Sequence, residues 1–468
     1  MQTQLDPEYQ GTPDGEAAEA ILRRCVHCGF CTATCPTYQL FGDELDGPRG
    51  RIYLIKQALE GSTPTAKTQS HLDRCLTCRN CESTCPSGVQ YGELVEIGRR
   101  IVDAKVERPR QERLVRWALR EGMTSPLFGA AMGVGQRVRG LLPDTLKSKV
   151  PPRQDAEQLK RARLWPTKTH ERKVLMLLGC VQPALSPNIN SATARVLDAA
   201  GIQTLVAESA GCCGAVRAHL GDQAGALADM RRNIDAWWPQ VAGLGDNAQV
   251  EAIIFNASGC GVTVKEYGHA LAGDPAYAEK ARGISALARD VSELLPDMVP
   301  RLAPLLGQRK PAMSQDSVIR KANPESAIRR AGAAPAPAPA VPAVDPLAPA
   351  PVNPAFPRLA YHPPCTLQHG QKLRGGVEAG LRALGFDVRI AGSESHLCCG
   401  SAGTYSVLQP EIAYQLRDRK LGQLVPIEPK FIVSGNIGCI QHLQTGTAIP
   451  VRHWIEVLDD VLARLRSF

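Results

Sequence analysis

Cys25-Val26-His27-Cys28-Gly29-Phe30-Cys31-Thr32-Ala33-Thr34-Cys35-Pro36 decides the fold, because it returns as Cys75-Leu76-Thr77-Cys78-Arg79-Asn80-Cys81-Glu82-Ser83-Thr84-Cys85-Pro86. Both read C-x2-C-x2-C-x3-C-P, the spacing by which thiolates hold [4Fe–4S] clusters. Three cysteines at two-residue gaps wrap one face of a cube from a single loop, and the fourth, ahead of proline, serves the neighbouring cluster. One expected set is therefore Cys25, Cys28, Cys31 and Cys85, and the other is Cys75, Cys78, Cys81 and Cys35. Zinc, the alternative metal, takes ligand pairs separated by a longer loop.

The segment between the motifs carries Asp46-Gly47-Pro48, which predicts the start of a helix with Asp46 as its cap and proline in the first turn. Ile52, Leu54, Ile55 and Leu59 then recur at helical spacing. The motifs should lie between helices, in an all-helical two-cluster ferredoxin domain over residues 21–110. Residues 1–20 are polar and acidic and predict a disordered N-terminus; residues 111–172 predict a basic helical connector.

The remaining eight cysteines follow a second pattern. Cys180, then Cys212-Cys213-Gly214, then Gly259-Cys260 recurs as Cys365, Cys398-Cys399-Gly400 and Gly438-Cys439. The lone cysteine precedes the pair by 31 intervening residues in one copy and 32 in the other, the mark of an internal duplication. Val174-Leu175-Met176-Leu177-Leu178-Gly179 leads into Cys180, and Arg358-Leu359-Ala360-Tyr361-His362 leads towards Cys365. With runs at 203–206 and 251–255, and at 387–390 and 430–433, each copy reads as three strands alternating with helices, a parallel α/β layer. The fold class expected is α + α/β, the helical ferredoxin domain followed by a duplicated α/β cysteine-rich domain at 173–305 and 358–468. Residues 306–357, with the Ala/Pro tract 331–357, predict an extended linker.

Strand carboxyl ends are where ligands collect in open α/β sheets. Cys180, Cys212, Cys213 and Cys260 in one copy, and Cys365, Cys398, Cys399 and Cys439 in the other, therefore read as two metal sites. The residues alone fit a further iron–sulfur cluster, a structural zinc, or redox thiols without metal. His27, His362 and His396 stand beside these cysteines and read as packed side chains, outside the ligand sets.

The net charge of +8 is concentrated in residues 99–173, which hold 19 Lys/Arg against 8 Asp/Glu. That strip, with an apolar patch at 125–132, suggests docking to anionic lipid or an acidic subunit, against the plain alternative of a solvated connector. No run of about 18 apolar residues predicts a membrane span. The polar start shows no export signal, and sixteen thiols call for a reducing compartment, so a cytoplasmic location is expected. There is no Walker A motif and no G-x-G-x-x-G after a strand, since the glycines at 133–140 have the wrong spacing. A cluster protein without its own flavin or nicotinamide needs a partner to meet an organic substrate. A nucleic-acid scaffold draws support only from the basic strip, and no nucleic acid is expected.

The two motifs, together with Gly42-Asp43-Glu44-Leu45-Asp46-Gly47-Pro48-Arg49-Gly50-Arg51-Ile52-Tyr53 and His71-Leu72-Asp73-Arg74, resemble the iron–sulfur subunits of bacterial glycolate oxidase. The likeness extends over the duplicated half and leaves out the N-terminus and the Ala/Pro tract. It implies an oxidoreductase complex in which FAD-containing subunits oxidise glycolate to glyoxylate. This chain would carry electrons to a quinone or other acceptor at the cytoplasmic face of the inner membrane, and would not oxidise glycolate alone. Iron–sulfur subunits for lactate or glycerol-3-phosphate, and heterodisulfide reductase, are the near alternatives. In the last of these each copy ends in Cys-x-x-Cys; here Ala257 and Asn436 occupy the first of those positions, which argues against disulfide chemistry.

Overall fold

The computed structural model describes residues 1–143, 147, 150–244, 249–307 and 351–466. Its first part is built from helices: α1 (Pro13–Arg24), α2 (Phe30–Ala33), α3 (Pro36–Phe41), α4 (Pro48–Leu59), α5 (Ala66–Asp73), α6 (Asn80–Thr84) and α7 (Tyr91–Lys105). Ile21 and Leu22 of α1, Ile52, Ile55 and Leu59 of α4, and Leu94, Val95 and Ile101 of α7 close one apolar core, which Cys25, Cys75 and Cys81 join from its edge. The motif loops are thus fastened to a packed scaffold.

Two expectations fail here. Residues 1–20 are ordered rather than disordered. The Met1 ammonium donates to the carbonyls of Leu22 and Cys25 at 2.8 and 2.6 Å, and the Asp6 N–H donates to the Leu59 carbonyl at 2.8 Å. The acidic side chains that suggested disorder have cations waiting on α7: Asp14 pairs with Arg100 and Glu8 with Lys105. Nor does Asp46 cap α4, whose N-cap is Gly47. Its carboxylate is 1% exposed and takes Arg74 at 2.8 Å, His71 Nδ1 at 3.0 Å and the equally buried Arg51 at 3.4 Å. Arg51 in turn donates to the His71 carbonyl and to Thr37, so one carboxylate ties together α3, α4 and α5.

Helices Arg110–Thr124 and Phe128–Arg137 follow. Much of the basic strip turns inward: Arg108 meets Asp73, Asp103 and Glu112, Arg161 meets Asp459 and Asp460, and Arg172 meets Glu251 and Asp297.

The two cysteine-rich copies then repeat one topology. Strands β1 (Arg172–Met176), β2 (Ile202–Leu205), β3 (Ala252–Phe255) and β4 (Ala288–Asp290) form a parallel sheet in the order β2-β1-β3-β4. Strands β5 (Leu359–Tyr361), β6 (Val388–Ile390), β7 (Phe431–Ser434) and β8 (Val451–His453) repeat it as β6-β5-β7-β8. The fourth strand of each sheet, three residues at the sheet edge that lead straight into a helical turn, adds to the three strands expected for each copy. The copies are fused back to back: Val174, Met176 and Ile254 share one core with Ala360, Ile432 and Trp454. His453 Nε2 meets the Asn256 carbonyl at 2.9 Å, Asn188 donates to Glu456 at 2.8 Å, and Arg195 pairs with Asp459 at 2.7 Å across the same seam. Most of the expected Ala/Pro linker falls outside the described residues.

Removing one partner of a buried ion pair leaves the other charge uncompensated at a cost of about 3–5 kcal/mol. Asp46→Ala should therefore lower the thermal midpoint of the full chain far more than Asp14→Ala, whose ion pair is half exposed; a scan of both variants by circular dichroism checks it.

Candidate metal centres and the cavity between them

The two motif loops adopt the same backbone. In each, the residues before and after the second cysteine have left-handed conformations: His27 (φ 58°) and Gly29 (φ 85°), Thr77 (φ 51°) and Arg79 (φ 58°). Non-glycine residues seldom sit there without a reason, and the pair of turns curls each loop around its own three thiols. The fourth cysteine leaves that curl. Cys35 stands directly ahead of α3, which begins with Pro36, and Cys85 ends α6 ahead of Pro86.

The thiols gather across the motifs. Burial and the nearby sulfurs of Cys25, Cys85 and Cys28 push the Cys31 thiol up to about 11. Burial with Cys78, Cys75 and Cys35 pushes the Cys81 thiol far up. Each group thus combines three thiols of one motif with the last thiol of the other. All sixteen cysteines are free of disulfides. The second group has cations beside it. Burial raises the Cys75 thiol, but Arg51, Arg99, the Thr77 N–H at 3.4 Å and the Tyr91 hydroxyl at 3.7 Å outweigh it and hold it below its ordinary value. Arg99 is fixed for this task by hydrogen bonds to the carbonyls of Leu72 and Cys75 at 2.8 and 2.7 Å. Convergent thiols, no disulfide and N–H donors onto sulfur fit an iron–sulfur cluster.

In the duplicated half each thiol lies just beyond a strand's carboxyl end. Cys180 follows β1, Cys212 and Cys213 follow β2, and Cys260 sits in the helix Ser258–Lys265 after β3; Cys365, Cys398, Cys399 and Cys439 repeat this on β5, β6 and β7. Cys180 Sγ lies 3.6 Å from Cys212 Sγ, and Cys365 Sγ lies 3.8 Å from Cys398 Sγ. Hydrogen bonding to Cys212 pushes Cys180 far up, while the same contact draws Cys212 down. Four sulfurs so close cannot all ionise unless a cation joins them. The glycine of each Cys-Cys-Gly has a left-handed backbone, φ 94° at Gly214 and 91° at Gly400. A Cβ there would lie 3.0 Å from the Ala226 carbonyl oxygen and 2.4 Å from that of Ala413.

The sites adjoin one another. Burial and then Cys365 push the Cys78 thiol far up, and Cys398 also feels Cys78. Leu76, Cys365, Cys398 and Tyr405 form one buried cluster with Cys78 at its edge, and the Tyr405 hydroxyl donates to the Arg74 carbonyl at 2.9 Å. The first copy meets the ferredoxin region through Arg79–Glu266 and His269–Glu93. Cys78, Cys180, Cys260, Cys365 and Cys439 all line a single cavity between these parts.

Of the three histidines flagged in the sequence, His27 is exposed and contacts Met1, and His396 is partly exposed. His362 is packed inside the second copy, as expected, but without a partner. It is 1% exposed, neither ring nitrogen has a hydrogen-bond partner, and one of them lies within 4.8 Å of the Cys399 and Cys439 sulfurs. Burial drives its pKa well below the ordinary value. Lys420, also buried, donates to the Glu394 carbonyl and faces Cys399, Cys398 and Cys365. Aligning the two copies would have drawn attention to His362, because Leu177 holds its place in the first copy.

Residues 21–89 match the 4Fe-4S dicluster domain, and residues 174–265 and 359–444 match the cysteine-rich domain. The glycolate oxidase iron-sulfur subunit of Escherichia coli (strain K12) is 49% identical over 465 residues, 99% of this chain and 100% of that protein. The chain belongs to the glycolate oxidase iron–sulfur subunit family. Within that family, a probable glycolate oxidase iron-sulfur subunit of Bacillus subtilis (strain 168) is 26% identical over 95% of this chain and 92% of its own length. Lactate utilization protein A of Geobacillus thermodenitrificans is 23% identical over 61% of this chain and 98% of its own length. The shared domains make this chain an iron–sulfur protein of electron transfer.

A left-handed backbone costs a residue with a Cβ about 1–2 kcal/mol before any clash is counted. Gly400→Ala should lose at least that much stability, and more than Gly214→Ala, whose Cβ has more room. Thermal unfolding with metal analysis of both variants checks the order.

Proposed function

We propose that this chain is the electron-carrying subunit of a glycolate-oxidising complex. FAD-containing partner subunits would convert glycolate to glyoxylate, and a quinone or another acceptor would receive the electrons. Cys25, Cys28, Cys31 and Cys85 would hold one [4Fe–4S] cluster and Cys75, Cys78, Cys81 and Cys35 the other. Cys180, Cys212, Cys213 and Cys260, and Cys365, Cys398, Cys399 and Cys439, would each hold a further iron–sulfur group. When bound, such groups supply one-electron storage and transfer.

The observation that carries this reading is that Cys78 packs against the buried cluster holding Cys365 and Cys398, near enough for their charges to act on it. A structural zinc has no need to lie against a ferredoxin thiol, whereas a redox site in series does. Arg51 and Arg99 favour added negative charge at the second motif, beside this junction. Each cysteine-rich copy has four thiols. The Asn436 amide donates to Cys439 Sγ at 3.6 Å where a disulfide-reducing relative would place a fifth, which supports a relay over a disulfide-reducing catalyst.

The ligand sets predict a crossed outcome. Cys85→Ser should remove the cluster of the first motif, although it lies in the second, and Cys35→Ser should do the reverse. EPR of the reduced variants, compared with Cys28→Ser and Cys78→Ser, reads this: Cys85→Ser should resemble Cys28→Ser. Resemblance of Cys85→Ser to Cys78→Ser would contradict the assignment. The chain purified without flavoprotein partners should show no glycolate oxidation with an artificial acceptor, and turnover there would defeat the relay reading.

Among the described residues no helix is long and apolar enough to cross a membrane. Membrane association would instead use the outer side of helices Arg110–Thr124 and Phe128–Arg137. Leu114 (63% exposed), Trp117 (55%) and Leu127 (73%) project there, with Arg110 and Arg137 also exposed. Exposed apolar side chains flanked by arginines suit an anionic bilayer surface. Trp117→Ser with Leu127→Ser should cut co-sedimentation with phosphatidylglycerol vesicles several-fold and leave cluster content unchanged; equal sedimentation would remove this surface from the account.

A further inference from the structure

We propose that His362 is a nitrogen ligand of the metal group in the second cysteine-rich copy, making that site mixed thiolate–imidazole where the first copy is thiolate only. This rests on the reading that the second copy holds a metal group.

Three observations converge. One ring nitrogen of His362 lies within 4.8 Å of both the Cys399 and Cys439 sulfurs, the spacing of groups that share one metal centre. The ring is buried, and neither nitrogen has a hydrogen-bond partner. The other fully buried histidines are all engaged: His369 with Ser83 and the His396 carbonyl, His442 with the Ala413 carbonyl, and His453 with the Asn256 carbonyl. A buried imidazole with no partner beside two thiols has the surroundings of a metal ligand. Third, the position is fixed by the backbone. His362 donates its N–H to Val433 at 2.8 Å and its carbonyl accepts from the Ser434 hydroxyl at 2.9 Å, which places the ring at the carboxyl end of β5.

The comparison between copies gives the ligand its meaning. His362 stands three residues before Cys365, as Leu177 stands three before Cys180, and Leu177 packs into an apolar core. A second difference points the same way. The glycines of the two Cys-Cys-Gly turns rest against the carbonyls of Ala226 and Ala413. Seven residues beyond each stands Asn233 in the first copy and Lys420 in the second. Asn233 holds the turn by bonding Gly211 and the Cys212 carbonyl, whereas Lys420 places a buried cation near Cys398 and Cys399. Where the imidazole takes the place of one of the four thiolates on that group, it raises the potential of an iron–sulfur centre, and a buried cation acts in the same direction. The second copy, whose thiols lie near Cys78, is therefore the better electron acceptor of the two.

The test uses the anaerobically purified full chain, grown with 15N-histidine, and compares it with His362→Gln and His362→Cys. Pulsed EPR at the potential where the second copy is paramagnetic should show a directly bonded histidine nitrogen in the parent and none in either variant. His362→Cys should keep its metal, with the potential of that site shifted down. No histidine nitrogen in the parent, or the same coupling in a metal-loaded His362→Cys, overturns the proposal. Should the second copy hold zinc, absorption at the zinc edge decides it: sulfur with nitrogen in the parent and sulfur alone in His362→Cys supports the ligand, and sulfur alone in both overturns it. Failure of the underlying reading looks different. A folded Cys365→Ser/Cys439→Ser double variant with unchanged metal content would mean that the second copy holds no metal, and would end the proposal with it.

Discussion

Burying sulfur next to sulfur is the constraint on which this structure depends. A thiolate in a low-dielectric interior is costly, and several together repel one another unless cations or hydrogen-bond donors compensate. The protein meets that demand with metal-ready convergence and with fixed charges around it. Arg51 is buried beside Cys35 and Cys75, held by Asp46, Thr37 and the His71 carbonyl. Arg99 is held against the same loop by two carbonyls. Lys420 stands in the second cysteine-rich copy. The packing of α3, α4, α5 and α7 is in large part the means of keeping these cations where the sulfur is.

The duplication supplies two similar sites, and the fusion of the copies makes them unequal neighbours. Because the sheets share one core, both sets of strand ends open towards the same cavity. The second set lies near Cys78. The replacements there, His362 for leucine and Lys420 for asparagine, fall on the copy whose thiols lie near Cys78, where a difference between the sites has a consequence for electron flow.

Much of this architecture was legible in the sequence, for physical reasons. Cysteine spacing is a ligand geometry written along the chain, so the four thiol groups could be listed before any coordinates, and the structure brings the members of each group near one another. The strands 174–178, 251–255 and 430–433 were visible because β1, β3 and β7 are buried central strands and read as apolar runs. What was hidden depended on partners distant in sequence. The acidic N-terminus is ordered by Arg100 and Lys105, about ninety residues away. Asp46 sits at a helix boundary, yet its role comes from Arg51, Arg74 and His71. The basic strip read as a surface because its acids, Asp73, Glu251 and Asp459, belong to other segments. His362 was set aside because a histidine beside a cysteine is commonplace, and only burial without a partner distinguishes a ligand from filler.

The most direct measurement is iron, acid-labile sulfide and zinc per chain on anaerobically purified full-length protein. Two ferredoxin-type clusters alone account for about eight irons. The account predicts clearly more iron than that, matched by sulfide, with no stoichiometric zinc. Eight irons together with zinc would make the duplicated half a scaffold, and would contradict the claim that its thiols continue the electron path.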